Sequence, residues 1–466
     1  MIPTVSSGVS TRRSFLFGAA VSLASFSVAQ SASRAPNIVM IYADDMGYGD
    51  LSCYGSSIST PNLDRMAEEG IRLTHFYSAS PVCSPSRAAL MTGRYPNRVG
   101  VPRVLDPSDP AGLSLTETTL GDMLQGNGYA TACVGKWHLG RKAEYMPTNR
   151  GFDEYFGIPY SHDMWPRPLM LNLNTVEETA ELTTLTQRYT SYAVDFIQRS
   201  KNKPFFLYMP HSFPHIQLAV SPSFDGKSGQ GLYGDVVQEI DWSVGQILQT
   251  LKENKLADNT LVMFSSDNGP WYQGSPGKLR GRKGDTYEGG MREPFIARFP
   301  GRIPAGQVSD VMASTLDILP TLGRLTGAAL PSQTLDGVDL MPVLSGREKN
   351  VERDAFLYFS DIHLQCARLG PWKLHLARYN VPVFLPEPVS GRVNLPLPQP
   401  ELYNVMEDAE EGYNRASKNM GVVSEIKARV EKLIATFPME IHAAYEETKK
   451  RKVQPTPENA PPVAEG

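Results

Sequence analysis

Five short apolar runs, each ending at charged or reactive residues, constrain the fold of this 466-residue chain more than any other feature. Asn37–Tyr42 leads into Asp44 and Asp45, Tyr129–Val134 into Lys136 and His138, and Pro204–Met209 into His211 and His215. Leu261–Phe264 leads into Asp267 and Asn268, and a less regular run, Thr74–Ala79, leads into Cys83. Runs without an alternating polar face suit strands buried on both sides of a sheet. Helical patterns lie between them. Thr60-Pro61 opens one with a capping residue and a proline at the first position, and Gly70 closes it. Asp235–Lys252 places Ile240, Val244, Ile247 and Leu251 at helical spacing. The alternation predicts an α/β fold: a large, mostly parallel sheet flanked by helices, with a site on its carboxyl-terminal rim. One aspartate or histidine after a strand is an ordinary loop cap. Four such ends on one rim make a site.

The pattern changes beyond residue 345. Ala355–Phe359, Ala367–Leu369 and Trp372–Leu376 read as short strands around a Gly370-Pro371 turn, and Val422–Thr436 as a helix. The expected organisation is an export signal over residues 1–33, a catalytic domain over 34–345, a smaller antiparallel-sheet subdomain over 346–445 and a disordered tail over 446–466. Pro382–Pro400, with six prolines, is expected to be an extended loop.

At 41% hydrophobic residues the chain can bury a large core. Its net charge of −4, with no basic block outside the extreme termini, argues against nucleic acid as a partner. Four cysteines (Cys53, Cys83, Cys133, Cys366) are too few for a disulfide scaffold in a chain this long. Near the start, Thr11-Arg12-Arg13-Ser14-Phe15-Leu16, an apolar run to Ala29 and a cleavage-like Ser27-Val28-Ala29 make a twin-arginine export pattern, with a Sec signal as the alternative. The run is too short and too rich in Ala and Ser to span a membrane. These features predict a soluble bacterial protein, periplasmic or secreted, carried by the twin-arginine export machinery and without stable membrane association.

Asp44, Asp45, Asp267 and Asn268 offer only oxygen ligands, which selects Ca²⁺ or Mg²⁺ over zinc. Cys83 opens the stretch Cys83-Ser84-Pro85-Ser86-Arg87-Ala88-Ala89-Leu90-Met91-Thr92-Gly93-Arg94. A bare C-x-P-S-R is weak evidence; the extension to Arg94 makes it specific. Together with Gly135-Lys136-Trp137-His138-Leu139-Gly140 and Arg282-Lys283-Gly284-Asp285-Thr286-Tyr287-Glu288-Gly289-Gly290, it resembles the type I, formylglycine-dependent sulfatases over about residues 36–440.

That resemblance implies an alkaline-phosphatase-like fold and oxidation of Cys83 to formylglycine by a maturation enzyme, the aldehyde hydrate being the nucleophile. It implies Ca²⁺, with Mg²⁺ possible, held by Asp44, Asp45, Asp267, Asn268 and residue 83. Arg87 would hydrogen-bond the diol and the metal ligands, and Lys136 and Lys283 would hold the sulfate. His215, in preference to His211, would protonate the leaving oxygen. His138 would take a proton from the second hydroxyl and so regenerate the aldehyde. Gly157–Asp163 is similar to the corresponding stretch of the family's arylsulfatases, which implies that Ser161 hydrogen-bonds the sulfate. Leu402-Tyr403-Asn404 with Asp408 and Glu411 resembles a segment common near sulfatase C termini, with Ala409 in place of a proline.

The implied activity is hydrolysis of a sulfate monoester, an aryl sulfate or a sulfated carbohydrate, to the alcohol and inorganic sulfate. The alternatives are a phosphatase or phosphonate monoester hydrolase of the same superfamily, and a sulfoglycan-binding protein with an unmodified Cys83. The lysine pair favours the less charged sulfate, and the complete acid–base set favours an enzyme.

Overall fold

The computed structural model describes residues 1–10, 34–389 and 391–452. Residues 11–33 of the signal expected over 1–33, and most of the expected tail, lie outside the described residues. From Ala35 onward the described chain forms one compact unit.

Ten strands build the large sheet: β1 (Asn37–Ala43), β2 (Ile71–Tyr77), β3 (Ala130–Val134), β4 (Glu154–Gly157), β5 (Leu169–Leu171), β6 (Asn174–Glu177), β7 (Phe205–Pro210), β8 (Thr260–Ser266), β9 (Arg292–Arg298) and β10 (Gln307–Ser314). Their order is β10-β2-β9-β8-β1-β7-β3-β4-β5-β6. The central run β8-β1-β7-β3-β4 is parallel throughout. β9 is antiparallel to both its neighbours, and the β5-β6 hairpin closes the far edge.

The apolar runs are continuous because each strand feeds two cores. Ile38, Met40 and Tyr42 of β1 face one, with side chains from α2 (Cys83–Thr92), α3 (Leu120–Gly126), α7 (Ile318–Thr326) and α8 (Met341–Leu344). Val39 and Ile41 face the other, with α1 (Pro61–Glu68), α4 (Leu185–Ser200) and α5 (Gly231–Glu253), where Ile240, Val244, Ile247 and Leu251 all point inward. Helices on both faces leave only the strand ends open to chemistry.

Four further strands, β11 (Phe356–Ser360), β12 (His363–Leu369), β13 (Trp372–Tyr379) and β14 (Asn394–Asn404), form an antiparallel sheet in sequence order. It shares a core with α9 (Met420–Ile434) and α10 (Met439–Lys450), and with Tyr77 and Ala79 at the end of β2.

Three local expectations are revised. The second half of Pro382–Pro400 is the edge strand β14, where Pro396, Pro398 and Pro400 are tolerated because an edge strand has one unpaired side and a register shift sits between His375 and Ala377. α10 runs five residues into the segment expected to be tail. Thr60 sits at the start of α1 but makes no side-chain cap; its hydroxyl pairs with Ser52. The Asp241 carboxylate of α5 accepts from the amides of Asn62 and Leu63 instead, at 2.8–3.2 Å.

A buried polar network joins the two sheets. Glu288, first residue of the short helix α6 (Glu288–Met291), accepts from Tyr77 at 2.6 Å and from Lys373 at 3.0 Å. Lys373 also pairs with Glu411 at 3.2 Å, and His375 donates to Glu411 at 2.6 Å. Burial opposes the charged form of His375, but the Cys366 sulfur and the Glu411 carboxylate outweigh it and raise the pKa to about 9. The unfolded value lies near ~6.5, so this contribution is fully present below that pH and is lost as pH rises through about 9. Denaturant titrations at about pH 6 and pH 10 should show a larger loss of stability in the wild type than in His375→Gln. Equal losses would exclude the linkage.

Candidate active site

The parallel strands β8, β1, β7 and β3 are contiguous, so their carboxyl ends open on the same rim. Short loop contacts lash those ends together. The Asp44 amide donates to Phe213, that of Asp267 to Ala43, and that of Lys136 to Pro210. The last contact requires Gly135, whose φ is +135° and where a Cβ would lie 1.8 Å from the Pro210 carbonyl oxygen. Asp45 and His138 each hold φ at 63°, in the left-handed region that residues with side chains seldom occupy. Such backbone persists where its surroundings over-determine it.

Cys83 is the first residue of α2 and is 2% exposed. Burial pushes its thiol up, opposed by the ammonium groups of Lys136 and Lys283. One turn along α2, Arg87 is fully buried and forks onto Asp267: Nε and Nη2 donate to Oδ2 at 3.0 and 2.8 Å, while Nη1 donates to the Lys136 carbonyl at 2.9 Å. Lys136 Nζ lies 2.6 Å from Asp44 Oδ2 and donates to Ser161 Oγ at 3.2 Å. Lys283 Nζ donates to Asp45 Oδ2 at 2.8 Å, and Asn268 donates to Asp45 Oδ1 at 2.7 Å. Of the predicted site residues, Asp44, Asp45, Arg87, Lys136, Ser161, Asp267, Asn268 and Lys283 are joined by these contacts into one buried cluster.

Three carboxylates (Asp44, Asp45, Asp267) thus face three cations (Arg87, Lys136, Lys283). Burial opposes ionisation of Asp44, yet Lys136, His215 and Arg87 outweigh it and hold its carboxyl well below the usual range. Burial and the Asp44 charge push Asp267 up to about 7 despite Arg87. Crowded carboxylates of this kind ionise together only when more positive charge is near.

A hard cation fits these residues. Ligand atoms of Asp44, Asp45 and Asp267 lie within 4.8 Å of one another. Asp44 Oδ1 and Asn268 Oδ1 are buried acceptors without a hydrogen-bond partner among the described residues. Unsatisfied buried acceptors are costly, and a bound cation satisfies them.

The histidines separate by position. His138 Nε2 donates to the Leu105 carbonyl at 2.8 Å, which leaves Nδ1 as a bare, buried lone pair without a partner among the described residues. Burial and Lys136 hold its pKa well below the ordinary value, so it stays neutral. His215 turns Nδ1 to the Ile216 carbonyl and Nε2 toward Asp45, 3.7 Å away. His211 instead points to α5, where its Nε2 is 3.5 Å from Ser243 Oγ, and burial alone lowers its pKa to about 4.

Two neighbours were not singled out in the sequence. His162 is fully buried, donates to the Gln217 carbonyl at 2.9 Å and packs 5.5 Å from the His215 ring. Asp163 lies 3.9 Å from His215 Nδ1. Their only sequence signal was membership of the stretch that contains Ser161.

The fold is alkaline-phosphatase-like, and the chain is a sulfuric ester hydrolase. The chain belongs to the sulfatase family, whose model matches residues 36–328. Among its relatives, human (Homo sapiens) arylsulfatase A is 39% identical over 444 residues, covering 86% of this chain and 87% of that protein. Pig (Sus scrofa) N-acetylgalactosamine-6-sulfatase is 43% identical over 384 residues, covering 74% and 72%. A solved structure of Ps i-CgsB in complex with k-i-k-neocarrahexaose matches with a TM-score of 0.75 at 31% identity, covering 86% of this chain and 93% of that one. Among the described residues no helix is long and apolar enough to cross a membrane.

Proposed function

We propose that this enzyme removes sulfate from a sulfated carbohydrate, using Cys83 after its conversion to formylglycine, within a catalytic domain over 34–345 to which the subdomain over 346–445 is appended. The observation that carries the reading is the placement of Cys83 at the head of α2, inside the field of Lys136, Lys283, Asp44 and Asp267. As a buried thiol with a raised pKa it is a poor nucleophile, which favours a converted residue over a thiolate mechanism. Relatives named N-acetylgalactosamine-6-sulfatase, and a structural neighbour in complex with k-i-k-neocarrahexaose, support the carbohydrate class.

Asp44, Asp45, Asp267 and Asn268 would hold Ca²⁺ or Mg²⁺. When bound, such a cation supplies charge that acidifies a neighbouring hydroxyl and polarises the ester. The chain's own groups divide the remaining work. Lys136 and Lys283, now tied to Asp44 and Asp45, would turn to the sulfate oxygens and stabilise the charge that builds in the transition state. Ser161 sits beside Lys136 and would add a hydroxyl to that cradle. Arg87 keeps Asp267 oriented. His138 Nδ1 is a neutral acceptor ready to take a proton. His215, held low by burial and the Lys283 charge, would take up a proton once an anionic ester lies beside Nε2, and pass it to the leaving oxygen. The leader over 1–33 would send the protein out of a bacterial cytoplasm through the twin-arginine machinery.

Three measurements test the reading. Wild-type enzyme should release sulfate from an aryl sulfate faster than phosphate from the matching phosphate ester; the reverse order would point to the phosphatase alternative. His215→Ala should slow esters of poor leaving groups at least ~10²-fold and good ones far less. Uniform slowing would remove its acid role. Calorimetric titration of chelator-stripped protein with Ca²⁺ should show one site, weakened ~10-fold or more in Asp45→Asn. Unchanged affinity would exclude Asp45 as a ligand.

A further inference from the structure

A group of aromatic rings, the half-buried Trp271 between the exposed Tyr272 and Phe384, stands beside the charged cluster. Trp271 and Phe384 meet edge to face with centroids 4.7 Å apart, and Trp271 meets Tyr272 in the same way at 4.9 Å. Phe384 is 44% and Tyr272 69% exposed, although large aromatic side chains usually bury most of their surface. Phe384 belongs to the loop between β13 and β14, so the second sheet brings it to the rim of the first.

Its place is tied to the site by two adjacent residues. Gly284 follows Lys283 with φ at +87°, and a Cβ there would lie 2.5 Å from Phe384 Cε2; the ring rests in the room that the missing side chain leaves. The Gly284 amide donates to Pro81, two residues before Cys83, and the Lys283 amide donates to Pro270, next to Trp271. Arg282 Nη1 fixes the Trp271 and Gly274 carbonyls at 3.0 and 2.7 Å. On the loop, Arg392 Nη2 donates to the Leu385 carbonyl at 2.8 Å. The rings therefore flank the stretch of backbone from which the Lys283 side chain reaches Asp45.

We propose that Trp271, Tyr272 and Phe384 form the wall that receives the sugar ring of the substrate, next to the sulfate held by Lys283; this rests on the desulfation of a carbohydrate proposed above. The chemistry selects a sugar. A flat, wholly apolar group needs a closed pocket to leave water. These rings are open on one side, so a pyranose can lay its C–H face on them while its hydroxyls stay hydrated. Tyr272 and Arg282 add a hydroxyl and a guanidinium at the edge. The wall acts on binding, because it touches the part of the ester that does not react.

The test compares Phe384→Ala with Val389→Ser, a fully exposed position five residues further along the same loop, using 6-O-sulfated galactose, glucose and N-acetylglucosamine and 4-nitrophenyl sulfate. Loss of one aromatic stacking partner should raise KM for the best sugar sulfate about tenfold, with kcat within about twofold, while Val389→Ser changes neither. An unchanged KM in Phe384→Ala overturns the wall. So does a rise confined to 4-nitrophenyl sulfate, which would assign the rings to an aryl group. If the wild type hydrolyses no sulfate ester, the proposed activity fails; the wall is then judged by tryptophan fluorescence titration with the same sugars, and no saturable change in wild type that Phe384→Ala weakens overturns it.

Discussion

Cys83→Ala should lower kcat/KM for an aryl sulfate by ~10⁴-fold or more, the scale expected when a nucleophile that acts in concert with its partners is removed. The fold should survive. Cys83 is buried at the first position of α2, where alanine keeps the helix geometry and removes only a sulfur atom. Its effect is thus separable from stability by circular dichroism and a urea midpoint. Cys83→Ser should also turn over poorly, because a serine lacks the second hydroxyl through which the covalent sulfate is released. Peptide mass spectrometry completes the argument. The tryptic peptide Leu73–Arg87 should lose one sulfur and two hydrogens and gain one oxygen, and residue 83 should react with an aldehyde probe. A thiol throughout, in a fully active enzyme, would end the formylglycine reading.

Arg87→Met should cost the chelator-stripped protein about 3–5 kcal/mol of stability, because it leaves buried carboxylates without their partner. Arg87 gives three hydrogen bonds, two to Asp267 and one to the Lys136 carbonyl, and stands 3.5 Å from Asp44 with no solvent to replace it. Arg87→Lys should recover little, since one ammonium cannot reproduce a planar fork that spans two elements. Adding Ca²⁺ should return part of the loss by supplying positive charge to the same carboxylates. Urea midpoints with and without the cation report all three outcomes. A midpoint that does not move would mean that Arg87 serves the reaction without holding the site together.

Much of this site was legible in the chain. Asp44, Asp45, Asp267 and Asn268 announce themselves because apolar runs stop at them, and a strand's end is local information. Cys83 and Arg87 share one helical turn, so their spacing alone places them together. The preference for His215 over His211 came from the resemblance to the family, and His211 turns to Ser243 of α5. The histidine and carboxylate after Ser161 were less visible. His162 and Asp163 come to His215 across more than fifty residues, and no periodicity records that approach.

By itself, the sequence determined the type of the central strands and of the helices between them, their polar ends and the chemistry those side chains can perform, because each follows from residues a few positions apart. Tertiary structure alone decided the rest. It set the strand order that brings Asp267 beside Asp45, with the amide of one residue on the carboxylate of the other at 3.1 Å. It capped α1 with Asp241 from a distant helix, paired Glu288 with Lys373 across two sheets, and set Phe384 on the bare backbone of Gly284. Each of these joins residues 85 or more positions apart, and such contacts form only when burial of the shared cores makes the loop closure favourable.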